Sequence, residues 1–136
     1  MIDLREAVEK AIIKALKPQV VCVAGLRTDE ATLPRVVVEA SSFNRRIPGT
    51  AIFDVETTIH VVSPMDNGLS EHKERLVKVL EKLLLDKDNN EAEAAAALSD
   101  PDASFKAVIL EGIEREMEDR EVRDQVRLQV VAVPVS

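Results

Sequence analysis

The feature that most constrains the fold is a twelve-residue run of alternating side chains at residues 51–62. The odd positions are mostly apolar (Ala51, Phe53, Val55, Thr57, Ile59, Val61), and Asp54, Glu56, Thr58 and His60 lie between them. Because successive side chains of a strand point to opposite faces, this run predicts a strand with one buried and one wet face. It would extend about 40 Å, more than most strands. We therefore expect part of it to project beyond the core or to lie in an assembly.

Two amphipathic helices flank the strand-rich part of the chain. In residues 3–17, Asp3 followed by Glu6 forms a capping-box pattern, and apolar residues then recur every three or four positions until Pro18. Residues 69–85 show the same period. Residues 86–104 are acidic, and within them residues 91–98 form either a short alanine helix or a mobile loop.

Four further segments have strand chemistry: residues 19–24, 35–42, 105–113 and 122–133. The first half of the last region is ambiguous, because a spacing of four (Phe105, Ile109, Ile113, Met117) also fits a helix. We predict a strand there, since Gly112 disfavours a helix interior. Residues 114–121, charged at all but Met117, should be a solvated hairpin tip or a helical turn. The order α-β-β-β-α-(α)-β-β predicts one α+β domain: a mixed or antiparallel five-stranded sheet with helices on one face.

Composition argues against several classes of function. The chain has 136 residues and a net charge of −7, and residues 51–136 hold ten Lys or Arg against nineteen Asp or Glu. An acidic chain with three aromatic residues, all Phe, is poorly suited to grip DNA. No stretch approaches the ~20 apolar residues of a membrane span. Early charged residues argue against a signal peptide, and a single cysteine fits a reducing cytoplasm.

Few residues suggest chemistry. Asp54, Glu56 and His60 share one strand face and could bind a divalent metal or act in acid–base catalysis, although a solvated polar face is the favoured interpretation. His72 and Cys22 fit best as a core-edge histidine and a buried thiol. The chain lacks a glycine-rich phosphate loop, a nucleophile elbow, an HExxH motif and paired CxxC motifs. We therefore expect no enzyme activity, catalytic residue, cofactor or metal.

Arg45 and Arg46 lie in the connection that leads into the long strand. They could grip a carboxylate, a phosphate or a partner subunit, or they could simply be solvated loop charges. Their charge is opposite to that of residues 86–103, which hold six acids and one lysine.

The layout resembles the tail terminator (tail-completion) family of long-tailed bacteriophages, which includes the lambda tail terminator. The resemblance covers nearly the whole chain. It is carried by the first helix, the segments "VVCVAG", "RVVVEASS" and "AIFDVETTIHVVSP", the loop "FNRRIPGT", the helix "LSEHKERLVKVLEKLLL" and the final "VRLQVVAVPVS".

The resemblance implies a structural virion protein of a phage or prophage. Such a subunit forms a ring, a hexamer by family resemblance, that ends the tail tube and joins it to the head connector. It is made in the host cytoplasm and lets DNA pass without binding it. We expect Arg45, Arg46, Asp54 and Glu56 at the subunit interface. Two alternatives are a small ligand-binding or enzymatic domain using Asp54, Glu56 and His60, and an adaptor that binds another protein through a strand edge.

Overall fold

The computed structural model describes residues 3–17, 22–24, 34–65, 69–86, 91–118 and 120–135, with the backbone alone for 22–24. The elements, in chain order, are α1 (Leu4–Leu16), β1 (Cys22–Ala24), β2 (Arg35–Arg45), β3 (Phe53–Pro64), α2 (Ser70–Lys82), α3 (Glu91–Ala96), β4 (Ala103–Glu118) and β5 (Glu121–Pro134). Residues 19–21 of the first predicted strand, residues 87–90 of the acidic segment, residue 119 of the predicted hairpin tip and the side chain of Cys22 lie outside the described residues.

The sheet has the order β1-β2-β3-β5-β4. Its four long strands pair antiparallel, and the three residues of β1 pair parallel with β2. Ile59 at the centre of β3 lies between Val38 of β2 and Val126 of β5. The α+β class with an antiparallel sheet is confirmed.

All three helices contribute to one core on one face of the sheet. Their buried side chains join the apolar parity of the strands in a single cluster, which includes Leu4, Val8, Ile12, Leu16, Val79, Leu83, Ala94, Ala95, Val38, Ile59, Val126 and Leu128. We call this side the helix face, and the opposite side the open face.

Helix α1 is fixed at its start and at its middle. A carboxylate oxygen of Asp3 accepts the backbone N–H of Arg5, as an N-cap does. One turn later, Oε2 of Glu9 accepts the backbone N–H of Ala40 at 2.9 Å, where a bulge interrupts the pairing of β2 with β3. The polar side of α1 therefore satisfies a backbone donor that the bulge removes from the ladder.

The alternation of β3 is confirmed, but the expectation that this strand projects is wrong. Val55, Thr57, Ile59 and Val61 are buried. However, β3 pairs with β5 along its whole length and with β2 from residue 53 to residue 62. Both of its edges are therefore occupied over nearly all of the strand, which leaves it little available to another chain.

Strand β4 lies at one edge of the sheet, opposite β1 at the other, and it is longer than predicted. It runs to Glu118, so residues 114–118 form neither a hairpin tip nor a helical turn. Two bulges, between Phe105 and Ala107 and between Leu110 and Gly112, shift its parity. They bring Phe105, Leu110, Ile113 and Met117 to the helix face, whereas Ile109, a member of the helix-like spacing of four, pairs with Gln129 on the open face.

Helix α2 ends at Lys82, three residues before the predicted end. The N–H of Leu85 reaches the carbonyl of Leu80, and Leu84 between them has a φ of 57°. This left-handed residue ends the helix, and Leu84 is exposed although the helical period of residues 69–85 predicts a core position for it. No helix in the described part of the chain is long and apolar enough to cross a bilayer.

Candidate functional site

A buried polar cluster joins α2 to the two central strands. Ser63 lies near the end of β3, His72 is in the first turn of α2, and Asp124 lies near the start of β5. Nδ1 of His72 is 2.8 Å from Oγ of Ser63, and Nε2 is 2.8 Å from Oδ2 of Asp124. At the two ends of this chain of contacts are Arg75, which donates to Ser63, and Arg115 of β4.

One arrangement of protons satisfies all these contacts. Ser63 accepts from Arg75 and donates to Nδ1 of His72, and Nε2–H of His72 donates to Asp124. Nε and Nη2 of Arg115 donate to the two carboxylate oxygens of Asp124, each at 2.9 Å. Burial alone would raise the pKa of Asp124, but hydrogen bonds from Arg115 and then from His72 outweigh it and lower the pKa.

The cluster contains the residue types of a hydrolase triad, but its environment is that of a structural network. The side chains of His72 and Asp124 are 0% and 2% exposed, and Ser63 is buried as well. A serine nucleophile must present Oγ to its substrate, whereas Oγ of Ser63 is enclosed and already bonded to two partners. As it stands, the cluster holds α2 and the β4–β5 hairpin against the sheet.

The predicted Asp54, Glu56 and His60 face exists, but its members have separate partners. All three lie on the open face of β3. Asp54 and Glu56 are two residues apart, and His60 is four residues beyond Glu56. Asp54 accepts from Arg46, while Glu56 is hydrogen-bonded to Glu111. Burial raises the pKa of Glu56, and the contact with Glu111 raises it further.

His60 is set apart from these carboxylates. Burial lowers its pKa, and its Nδ1 atom is enclosed with no hydrogen-bond partner among the described residues. In that part of the chain no group of three or more His, Cys, Asp or Glu is arranged to hold a metal ion.

The two predicted loop arginines are ordered within their own hairpin, which we call the arginine turn (residues 45–52). Arg45 donates to the carbonyl of Thr50 at 2.8 Å and lies over the ring of Phe53. Arg46 pairs with Asp54 at 2.9 Å. The structure thus joins two of the four predicted interface residues inside one chain, and both arginines remain exposed.

A surface that the sequence reading missed lies on the distal half of the edge strand, residues 110–118, which we call the β4 arm. On its helix face Leu110, Ile113 and Met117 are 38%, 41% and 53% exposed. Its other positions include four glutamates and one arginine. Arg115 forms a salt bridge with buried Asp124, and Glu114 forms one with Arg127 of the neighbouring strand β5.

Parity could have revealed the buried polar cluster. Asp124 occupies an apolar-face position between Val122 and Val126, and Ser63 continues the odd parity of β3. A lone acid on an apolar face requires a buried partner. The identity of that partner depends on tertiary pairing, because His72 is 52 residues away.

Comparison with known proteins gives no match, either to a protein-family model or among curated proteins.

Proposed function

We propose that this chain is a structural subunit that associates with copies of itself in a ring, and that the ring ends the tail tube of a phage or prophage and joins it to the head connector. The observation that carries the proposal is the apolar stripe of the β4 arm. Leu110, Ile113 and Met117 lie on the helix face of an edge strand, and they are 38%, 41% and 53% exposed.

Two properties of the β4 arm favour a protein partner. Single exposed apolar residues are ordinary, but three large ones on one face of one strand are typical of an interaction surface; Arg115 lies between Ile113 and Met117 on this face. The arm is also an edge with unpaired backbone groups, the part of a sheet that most readily meets another chain. A subunit whose role is assembly needs such a surface in place before its partner arrives.

The tail-terminator role comes from the resemblance of the layout. The elements α1, β1, β2, β3, α2 and β5 follow one another in the order of the segments that carried the resemblance, and α3 lies outside those segments. A net charge of −7 fits a ring through which DNA passes without being held. The partners in this proposal are further copies of the chain, the tail tube and the head connector, and no cofactor is required.

The function is tested in the phage or prophage that carries the gene. The gene is deleted, and variants are supplied in trans. Tails seen by electron microscopy should be overlong and unjoined to heads without the protein, and normal with the parent. Ile113→Asp with Met117→Asp should fail to restore them. Val77→Asp is the matched control, because Val77 of α2 is equally exposed but lies outside the β4 arm.

Normal tails in the deletion strain would contradict the tail role. Normal tails with the doubly substituted arm would show that the apolar stripe has no part in the tail role. Assembly of the parent with a different protein, as one copy only, would favour the adaptor alternative.

A further inference from the structure

The β4 arm carries acid beside its apolar stripe. Residues 110–118 hold four glutamates and one arginine, giving a net charge of −3. Glu114 and Glu116 pair with Gln125 and Arg123 of β5, so they point to the open face. Ile113 and Met117 pair with buried Val126 and Val122 on the helix face. The arm thus presents an acidic side and a mainly apolar side, on which Arg115 is engaged by Asp124.

The arginine turn has the complementary chemistry. Residues 45–52 contain two arginines and no acid, and Ile47 at its tip is 49% exposed. The turn is internally braced: the hydroxyl of Thr50 donates to the carbonyl of Ile47 at 2.7 Å, and Gly49 adopts a φ of 81° that closes the turn. A braced loop loses little conformational entropy when it docks.

The two surfaces lie at opposite ends of the sheet. Phe53 at the foot of the arginine turn pairs with Ala132, which pairs with Phe105 near the start of β4. The β4 arm runs to the other end, where Glu118 meets Glu121. A contact between unlike surfaces at opposite ends repeats head to tail, and it closes into a ring when the rotation permits.

We infer that the β4 arm of one copy receives the arginine turn of the next copy, with Ile47 against the apolar side and Arg45 and Arg46 toward the glutamates. This inference rests on the proposed self-assembly and names the two surfaces that carry it. The acidic residues 86–103 are the other surface of opposite charge to the arginines. The described part of residues 86–103 has acids but no large exposed apolar side chain.

Charge also argues against the simplest competing arrangement. If two β4 arms paired edge to edge, the glutamate rows of both copies would face one another, and like charges across an interface oppose association. The two bulges in β4 further disfavour continuous strand addition. Contact between the arginine turn and the glutamate row brings opposite charges together and requires no strand pairing.

The test uses charge reversal in two variants. The arm variant carries Glu116→Lys and Glu118→Lys, so its arm and its turn are both basic. The turn variant carries Arg45→Glu and Arg46→Glu, so both of its surfaces are acidic. Each variant alone should need at least about tenfold more protein than the parent to assemble, measured by analytical ultracentrifugation. An equimolar mixture should assemble within about twofold of the parent, because each arm then finds a turn of opposite charge.

The control is Lys73→Glu with Lys78→Glu, two exposed charges on α2, and it should assemble like the parent. Circular dichroism establishes that every variant is folded. If either single variant assembles like the parent, or if the folded variants fail to assemble when mixed, the inference is overturned and the proposed self-assembly stands. A parent that never assembles overturns the self-assembly itself.

A crosslink provides a second, independent measurement. Ile47→Cys and Met117→Cys are combined in a Cys22→Ser background and oxidised under assembling conditions. The double-cysteine protein should give a ladder of covalent multimers, and each single-cysteine protein should remain a monomer. An assembled double-cysteine protein without a ladder would contradict the contact.

Discussion

At the residue scale, Asp124 is the group on which the buried cluster depends. Its carboxylate accepts hydrogen bonds from His72 of α2 and from two guanidinium nitrogens, Nε and Nη2, of Arg115 on β4. One side chain therefore connects a helix and an edge strand to β5. Hydrogen bonds to a buried charge contribute more than neutral ones, and leaving their partners unsatisfied is costly.

Asp124→Asn should lower the free energy of unfolding by about 3 kcal/mol at neutral pH, because Arg115 and buried His72 lose their charged partner. Urea denaturation followed by circular dichroism measures the change. Glu114→Gln is the control: it breaks the exposed Arg127 pair and should cost less than about 1 kcal/mol. Equal effects of the two substitutions would contradict the structural role of the cluster.

The pH dependence follows from the lowered pKa of Asp124. A carboxyl group whose pKa is lower in the folded state stabilises the fold above its unfolded pKa, about 3.9, and that stability is lost as pH falls through the lower folded value. The difference in unfolding free energy between the parent and Asp124→Asn should therefore be constant from pH 7 to about 5 and shrink below about 4. A difference that grows on acidification would contradict a lowered pKa of Asp124 in the folded state.

At the element scale, the strands and helices differ in how far local pattern determines them. The parity of β3 and the period of α1 and α2 follow from side chains within each element, and the structure agrees with them. The length of β4 does not. Its distal residues are mostly charged, and their strand conformation comes from pairing with β5 along a register broken by two bulges. Which strand occupies the edge is likewise a property of the whole sheet.

Helix α2 allows a matched test of its packed face. Val79 is fully buried against the sheet, whereas Val77, two residues earlier, is 47% exposed. Val79→Ala should cost about 2 kcal/mol more than Val77→Ala, since both have the same change in helix propensity and only the first leaves a cavity. Thermal or urea unfolding of the two variants gives the difference. If their stabilities agree within about 0.5 kcal/mol, the orientation of α2 is misassigned.

At the scale of the whole molecule, the described chain combines a closed interior with two unlike surfaces at opposite ends. The arginine turn was visible in the sequence as a pair of charges, but the β4 arm was not, because its apolar stripe exists only after the bulges align Leu110, Ile113 and Met117. Both surfaces carry charge, so assembly through them should respond to ionic strength.

Raising the salt from about 0.05 M to about 0.5 M should weaken assembly, because the Debye length falls from roughly 14 Å to about 4 Å and screens the arginines from the glutamates. Sedimentation at matched protein concentrations would show a smaller assembled fraction at high salt. The apolar stripe should preserve part of the association. Assembly that strengthens throughout this range would indicate a contact without the proposed charges.

The most direct measurement of the central claim is the mass of the assembled protein as its concentration rises at low salt, followed by sedimentation velocity and negative-stain microscopy. We expect a closed ring whose mass is six times that of the 15.0 kDa chain. We also expect that Ile113→Asp with Met117→Asp remains folded and monomeric. A parent that stays at the mass of one chain throughout, or an arm variant that forms the same rings, would contradict this claim.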